Sequence, residues 1–244
     1  MAWFSFKGKR CDSDDVFCIL EKLPLDMRSE KITQVIEMPT GEPIIYEPGG
    51  YKTQLITLNI GIKDISMNHI HNINNWLTGS GKLVFSNSPD RHYLAVCYNA
   101  LSGTRMVEQL GRMPVQFTLM PFARENDPEF VELPINESHL AWINDSSSET
   151  GGTAPMQPTI KLYGNGDLSL YHFPSRVSVT IRNVDTFCII DVPSCRVFDK
   201  NNNVILDRTE GNIDEIINPA GNGCQTSFSD NVTKLEVKYN RRWL

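Results

Sequence analysis

The stretch Pro158-Thr159-Ile160-Lys161-Leu162-Tyr163-Gly164-Asn165-Gly166-Asp167-Leu168-Ser169-Leu170-Tyr171-His172 decides how this chain is read. Ile160 and Leu162 before the turn, and Leu168 and Leu170 after it, stand at every second position, so each flank turns one face to a core and the other to water. Between them, an Asn-Gly pair supplies the backbone conformations of a tight hairpin. The same pattern continues outward. Short strands are predicted at 177–182, 187–192, 196–198 and 234–239, punctuated by Pro193-Ser194, by Asp199-Lys200-Asn201-Asn202-Asn203 and by Pro219-Ala220-Gly221-Asn222-Gly223. Regular short strands with such turns indicate a β-sandwich or a barrel-like domain.

The first half is also mainly β. Met113, Val115, Phe117 and Leu119 alternate, and further strands are expected at 55–62, 82–85 and 92–100, the last two separated by the turn Ser86-Asn87-Ser88-Pro89-Asp90. One helix is predicted: Ser66 caps it, Ile70, Ile73, Trp76 and Leu77 share a face, and Gly79 ends it in a left-handed conformation. Its Asn-rich face is a poor helix former, so its stability must come from burial of Trp76 and its neighbours on the sheet. Trp76, Leu77 and Phe117 are therefore expected in the core.

At 244 residues the chain suits two domains better than one. The composition changes between Glu125 and Pro158, where Asn144-Asp145-Ser146-Ser147-Ser148-Glu149-Thr150-Gly151-Gly152 carries neither periodicity. The expected domains are 1–130 and 131–244, with a polar junction around 144–155.

Charge argues against a nucleic-acid binder. Residues 1–125 hold 13 basic and 13 acidic side chains and residues 126–244 hold 10 and 16, so all the excess acid lies in the second half. A basic face, which phosphate neutralisation requires, is missing. No stretch approaches the roughly 18–20 consecutive apolar residues of a membrane helix, and Met1 to Phe6 is too short for a signal-peptide core. A soluble protein made in the cytoplasm is expected.

Residues capable of chemistry are present, but in no recognised arrangement. Cys11, Cys18, Cys97, Cys188, Cys195 and Cys224 form no C-x-x-C pair and read as buried, reduced thiols. His69 and His71 are two apart, whereas a helical zinc pair stands four apart. His92, His139 and His172 are isolated and read as solvated or structural. Asp199, Asn201, Asn203, Asp207 and Glu210 fall on positions 1, 3, 5, 9 and 12 of a calcium loop, yet Val204 occupies the position that demands Gly. Gly79-Ser80-Gly81-Lys82 resembles a phosphate loop only superficially, since its spacing is wrong and it leads into a strand. There is no G-x-S-x-G and no H-E-x-x-H. No catalytic residue, metal or cofactor is expected.

A resemblance adds what composition cannot. Asn75-Trp76-Leu77-Thr78-Gly79-Ser80-Gly81-Lys82-Leu83-Val84-Phe85-Ser86, then Pro89-Asp90-Arg91-His92-Tyr93, Gly111, Val115-Gln116-Phe117 and Met120-Pro121-Phe122-Ala123 resemble the N-terminal domain of phage distal tail proteins, the Dit family. The aromatic-rich opening before Gly8 and the turn Gly49-Gly50-Tyr51 are similar too. In the second half, the hairpin quoted first, Ile190-Asp191, Pro219 to Asn222, Val232 to Val237 and Arg241-Arg242-Trp243 follow the family's order. Two departures concern one loop: Cys224-Gln225-Thr226 stands where the family has a strand entry, and the usual Phe-Pro before it is missing.

The resemblance implies a mainly β fold with one helix: an N-terminal β-sandwich or split-barrel ring domain followed by a C-terminal galectin-like β-sandwich. It also implies a virion protein without enzymatic activity, a homohexameric ring at the distal end of the tail. Its partners would be the tail tube protein, the tail-associated lysin or hub protein and receptor-binding proteins, with DNA crossing the lumen unbound. A charge-balanced first half and an acidic second half suit such a conduit. Tyr93, Tyr98, Leu101, Arg105 and Met106 are the expected subunit contacts, because the turn Ser102-Gly103-Thr104 would project them. The alternative is a carbohydrate-binding module protein that contributes to host-surface attachment, since a compact β-sandwich serves that function as well.

Overall fold

The computed structural model describes every residue except 1, 15, 25–27, 65, 99–103, 108, 109, 144–151 and 221–223, together with all but the side chains of 104–107 and 110. The chain divides into two compact units with the boundary between Asn126 and Asp127. The polar junction expected around 144–155 lies further along the chain. The polar run 144–151 lies outside the described residues, and the strands on either side of it both belong to the second unit.

The first unit comprises β1 (Phe4–Phe6), β2 (Lys9–Arg10), β3 (Cys18–Leu20), β4 (Gln34–Ile36), β5 (Ile44–Tyr46), β6 (Gln54–Ile62), α1 (Met67–Trp76), β7 (Gly79–Phe85), β8 (Ser88–Cys97), β9 (Thr104–Val107) and β10 (Leu110–Glu125). An antiparallel sheet runs β2-β1-β7-β8-β10-β6-β3, with β9 also pairing with β10. β10 is its spine: alternation buries Met113, Val115, Phe117 and Leu119, and the register against β8 shifts between Leu119 and Ala123. Such a shift bends a strand and increases its twist.

The helix forms where the periodicity places it. Ser66 Oγ accepts from the His69 N–H at 3.4 Å, and Gly79 beyond the last turn has φ +86°. Ile73, Trp76 and Leu77 are buried in the same cluster as Phe4, Phe6 and Phe117. The turn expected over 86–90 is shorter than that. Phe85 already pairs with Ser88, so Pro89 and Asp90 are part of β8. Asn126 holds them extended, its N–H donating to Asp90 O at 2.9 Å and its Nδ2 to Pro89 O at 2.8 Å.

The second unit is a sandwich of two antiparallel sheets. Its strands are β11 (Val131–Leu133), β12 (Leu140–Ile143), β13 (Thr159–Gly164), β14 (Gly166–His172), β15 (Val177–Val184), β16 (Phe187–Asp191), β17 (Arg196–Phe198), β18 (Thr209–Glu210), β19 (Cys224–Phe228) and β20 (Val232–Lys238). One sheet runs β11-β20-β13-β16-β17 and the other β12-β19-β14-β15-β18. Ile160, Leu162, Leu168, Leu170, Val179, Ile190 and Leu235 form the apolar layer of the core. The opening hairpin is pinned from outside: Asn231 Nδ2 donates to Asn165 O at 2.8 Å and to Asp167 O at 2.9 Å. A Cβ on Gly164 would lie 2.2 Å from Asn231 O, so only Gly allows that approach.

One departure noted in the sequence needs correcting. Cys224-Gln225-Thr226 is itself the start of strand β19, paired with β12 and β14. Its inward positions hold Cys224, Thr226 and Phe228, and the polar Thr226 hides the apolar alternation.

Candidate functional site

Exposed apolar surface is where a function by association would be found. In the first unit that is the hairpin of β4 and β5, registered Gln34 to Tyr46, Val35 to Ile45 and Ile36 to Ile44. Its root is fixed at both ends to β10: Ser29 Oγ donates to Pro121 O at 2.7 Å, and the Tyr51 ring meets Phe122 edge-on with centroids 5.2 Å apart. Backbone bonds from Ile32 to Gly50 and from Lys52 to Glu30, with ion pairs Lys31–Glu47 and Lys52–Glu30, join the two legs.

Beyond that root all six strand residues are exposed, Val35 at 60% and Ile45 at 66%. Ile36, Met38, Ile44 and Tyr46 are exposed as well. A two-stranded hairpin is marginal in water by itself. Contiguous exposed apolar surface of this kind marks an interaction site. The sequence reading missed the hairpin entirely. Its signal is the pair of three-residue β-forming runs flanking Pro39, Gly41 and Pro43.

The expected contact residues fall in different environments. Tyr98 is 70% exposed just past the end of β8. Tyr93 is half-buried, packed on the unit's own core with its ring 6.4 Å from that of Phe85. Leu101 lies outside the described residues. Arg105 and Met106 are on β9, where Arg105 pairs with Gly111 of β10. Trp76, Leu77 and Phe117 are all core residues.

Chemistry-bearing side chains of the second unit are brought together at one place that the sequence did not indicate. His172, Asn218 and Thr226 are completely buried polar residues. His172 Nε2 lies 2.9 Å from Asn218 Oδ1, which also accepts from the Cys224 thiol at 3.0 Å, while His172 Nδ1 lies 2.7 Å from Ser175 Oγ. An Asn oxygen accepts only, so the imidazole carries its proton on Nε2 and takes the Ser175 hydroxyl proton at Nδ1. Burial lowers the His172 pKa, opposed by the Asn218 hydrogen bond.

This is not a nucleophile and its base. Cys224 and His172 both address Asn218, not one another, and burial pushes the Cys224 thiol up to about 12. Cys18 and Cys188 are likewise raised to about 12 by burial. Thiols without thiolate at neutral pH are inert. Cys195 alone among the free cysteines is exposed. The Asp199 segment is a closed turn: Oδ1 accepts from the Asn201 and Asn203 N–H groups at 2.9 and 2.8 Å, and Oδ2 from Asn203 Nδ2 at 3.1 Å. Among the described residues, no three His, Cys, Asp or Glu side chains are grouped as metal ligands.

With this architecture in view, the chain can be set beside a solved structure that it matches from end to end. SPP1 Dit (gp 19.1), described as a paradigm of the hub adsorption apparatus in phages infecting Gram-positive bacteria, aligns over 100% of both chains with a TM-score of 0.77. The two chains share one fold. Their sequences are only 9% identical. No family model and no curated protein matches the chain. The Dit fold is thus mainly β with one helix, a β-sandwich or split-barrel unit followed by a galectin-like sandwich.

Proposed function

We propose that the chain is a structural virion protein, a distal tail protein that builds a homohexameric ring at the tail tip. The observation that carries this reading is the match to SPP1 Dit, which covers 100% of both chains and so spans both units. Fold by itself does not imply function. Here the surface agrees with it, because the apolar hairpin needs cover that its own unit does not provide.

In this reading the two units are domains, and the first forms the ring. Each β4–β5 hairpin lies on the neighbouring copy, and a head-to-tail contact of this kind closes into a ring when its rotation permits. Tyr93, Tyr98, Leu101, Arg105 and Met106 form a second lateral contact. The ring joins the tail tube protein to the tail-associated lysin or hub protein and to receptor-binding proteins. DNA crosses the lumen without specific binding, in keeping with the net charge of −6. The role is geometric and requires no catalytic group or cofactor.

Negative-stain images of the full chain at micromolar concentration, alone and with the tail tube protein, test this reading. Class averages with six-fold symmetry support it. Particles that remain single in both conditions overturn it.

A further inference from the structure

At one end of the second unit the β15–β16 turn, the loop after β17 and the 3-10 turn Leu206–Arg208 enclose a cavity of about 170 Å³. Its apolar side consists of Val184 and Ile205, both buried, and Phe187. The Phe187 ring packs beside Tyr163, 5.5 Å away between centroids, and under the Lys161 ammonium at 4.3 Å. Its position is therefore set before anything binds.

The polar side divides into bracing groups and free ones. Asp199 holds its own loop through Asn201 and Asn203, and Asp185 pairs with Lys200 across the mouth. Asp167 Oδ1 accepts from the Asn183 N–H at 3.0 Å, fixing Asn183 in a left-handed conformation with φ +53°. The side-chain amides of Asn183 and Asn201 and the guanidinium of Arg208 make no hydrogen bond to the described residues, although all three line the cavity. They are braced through their backbones and have their side-chain hydrogen-bonding capacity to spare.

We propose that this cavity is a binding site for one neutral pyranose ring. The charges around it balance, Asp185 against Lys200 and Asp199 against Arg208, so neither a cation nor an anion is selected. Two amides that donate and accept, with a guanidinium that donates, match the mixed donors and acceptors of vicinal hydroxyls. Val184 and Ile205 give the cavity an apolar side of the kind a sugar's C–H face covers. The volume is below the roughly 300–1,000 Å³ of drug-sized pockets, so a single ring enters and a longer chain would leave through the mouth. This inference rests on the cavity alone and is independent of ring assembly.

Saturation-transfer NMR on the full chain, which works for a monomer and a large assembly alike, tests it. Glucose, galactose, N-acetylglucosamine and rhamnose are the probes, each titrated in the millimolar range. At least one should give a saturable signal. That signal should weaken by about tenfold or more in the combined Asn183→Gly, Asn201→Ala, Arg208→Ala variant, since lost hydrogen bonds to uncompensated polar groups have that effect. Gly at 183 preserves the left-handed backbone. If the combined variant melts early, Arg208→Ala alone, at an exposed side chain, must still weaken binding. No signal from any of the four sugars, or one undiminished in the variants, overturns the proposal. Native mass spectrometry of the same variants should show an unchanged oligomeric state, which separates this outcome from failure of the ring.

Discussion

The Trp76 indole Nε1 donates to Phe6 O at 2.9 Å while its ring stacks on Phe4, centroids 5.5 Å apart and planes 14° from parallel. One side chain thus joins the helix to the first strand by both polar and apolar contact. Trp76→Ala should cost about 3–5 kcal/mol in denaturant unfolding, the range for a core aromatic. Trp76→Phe keeps much of the burial but leaves Phe6 O without this donor, and should cost about 1–3 kcal/mol. Losses below about 1 kcal/mol for the Ala variant would contradict this packing.

His172 makes the second unit sensitive to mild acid. Its folded pKa lies below the unfolded value of about 6.5, because burial disfavours the charged ring. The unfolded chain therefore takes up a proton that the native state refuses. Stability is unaffected above about pH 6.5 and falls as the pH drops below it, by at most about 1.4 kcal/mol per pH unit, until the folded pKa is reached. Cys224, the other titratable group on Asn218, stays neutral throughout. Unfolding followed from pH 7.5 to 5 should show this slope in the parent, and a folded His172→Gln variant should lack it. Equal slopes in both would remove His172 from the account.

Asp199 should act as a turn brace and not as a calcium ligand. Adding millimolar calcium should leave Tm unchanged, since a tight site would raise it by mass action. Asp199→Ala should lower Tm with or without calcium, because the Asn201 and Asn203 amides lose their acceptor. A calcium-dependent rise in Tm that this substitution abolishes would reinstate the metal loop.

The legible parts of the fold were those in which local chemistry and burial agree. Asn165-Gly166 between alternating strands, and Ser66 with Ile73 and Trp76, state their structure within a few residues. The β4–β5 hairpin does not: with both faces exposed, Val35-Ile36 and Ile44-Ile45 show no period of two, and Pro39 and Pro43 read as loop. β19 was obscured by Thr226, polar yet inward. Neither the His172–Asn218 contact, 46 residues apart, nor the cavity formed by Asn183, Asn201 and Arg208 leaves any local motif.

Because the hairpin contributes its apolar side chains to no core of its own unit, Val35→Ser with Ile45→Ser should leave the isolated chain's unfolding free energy within about 0.5 kcal/mol of the parent, the usual range for surface changes. The same pair should abolish self-association. A loss of several kcal/mol in the monomer would mean that the hairpin packs on its own unit instead.

Native mass spectrometry of the full chain across a concentration series, beside the Val35→Ser, Ile45→Ser variant, tests the ring most directly. A stable lateral interface buries about 1,200–2,000 Å² in total. The account predicts a species of six times the 27.6 kDa chain mass that grows with concentration in the parent and is absent in the variant. A parent that stays monomeric or dimeric at every concentration, and also beside the tail tube protein, would contradict it.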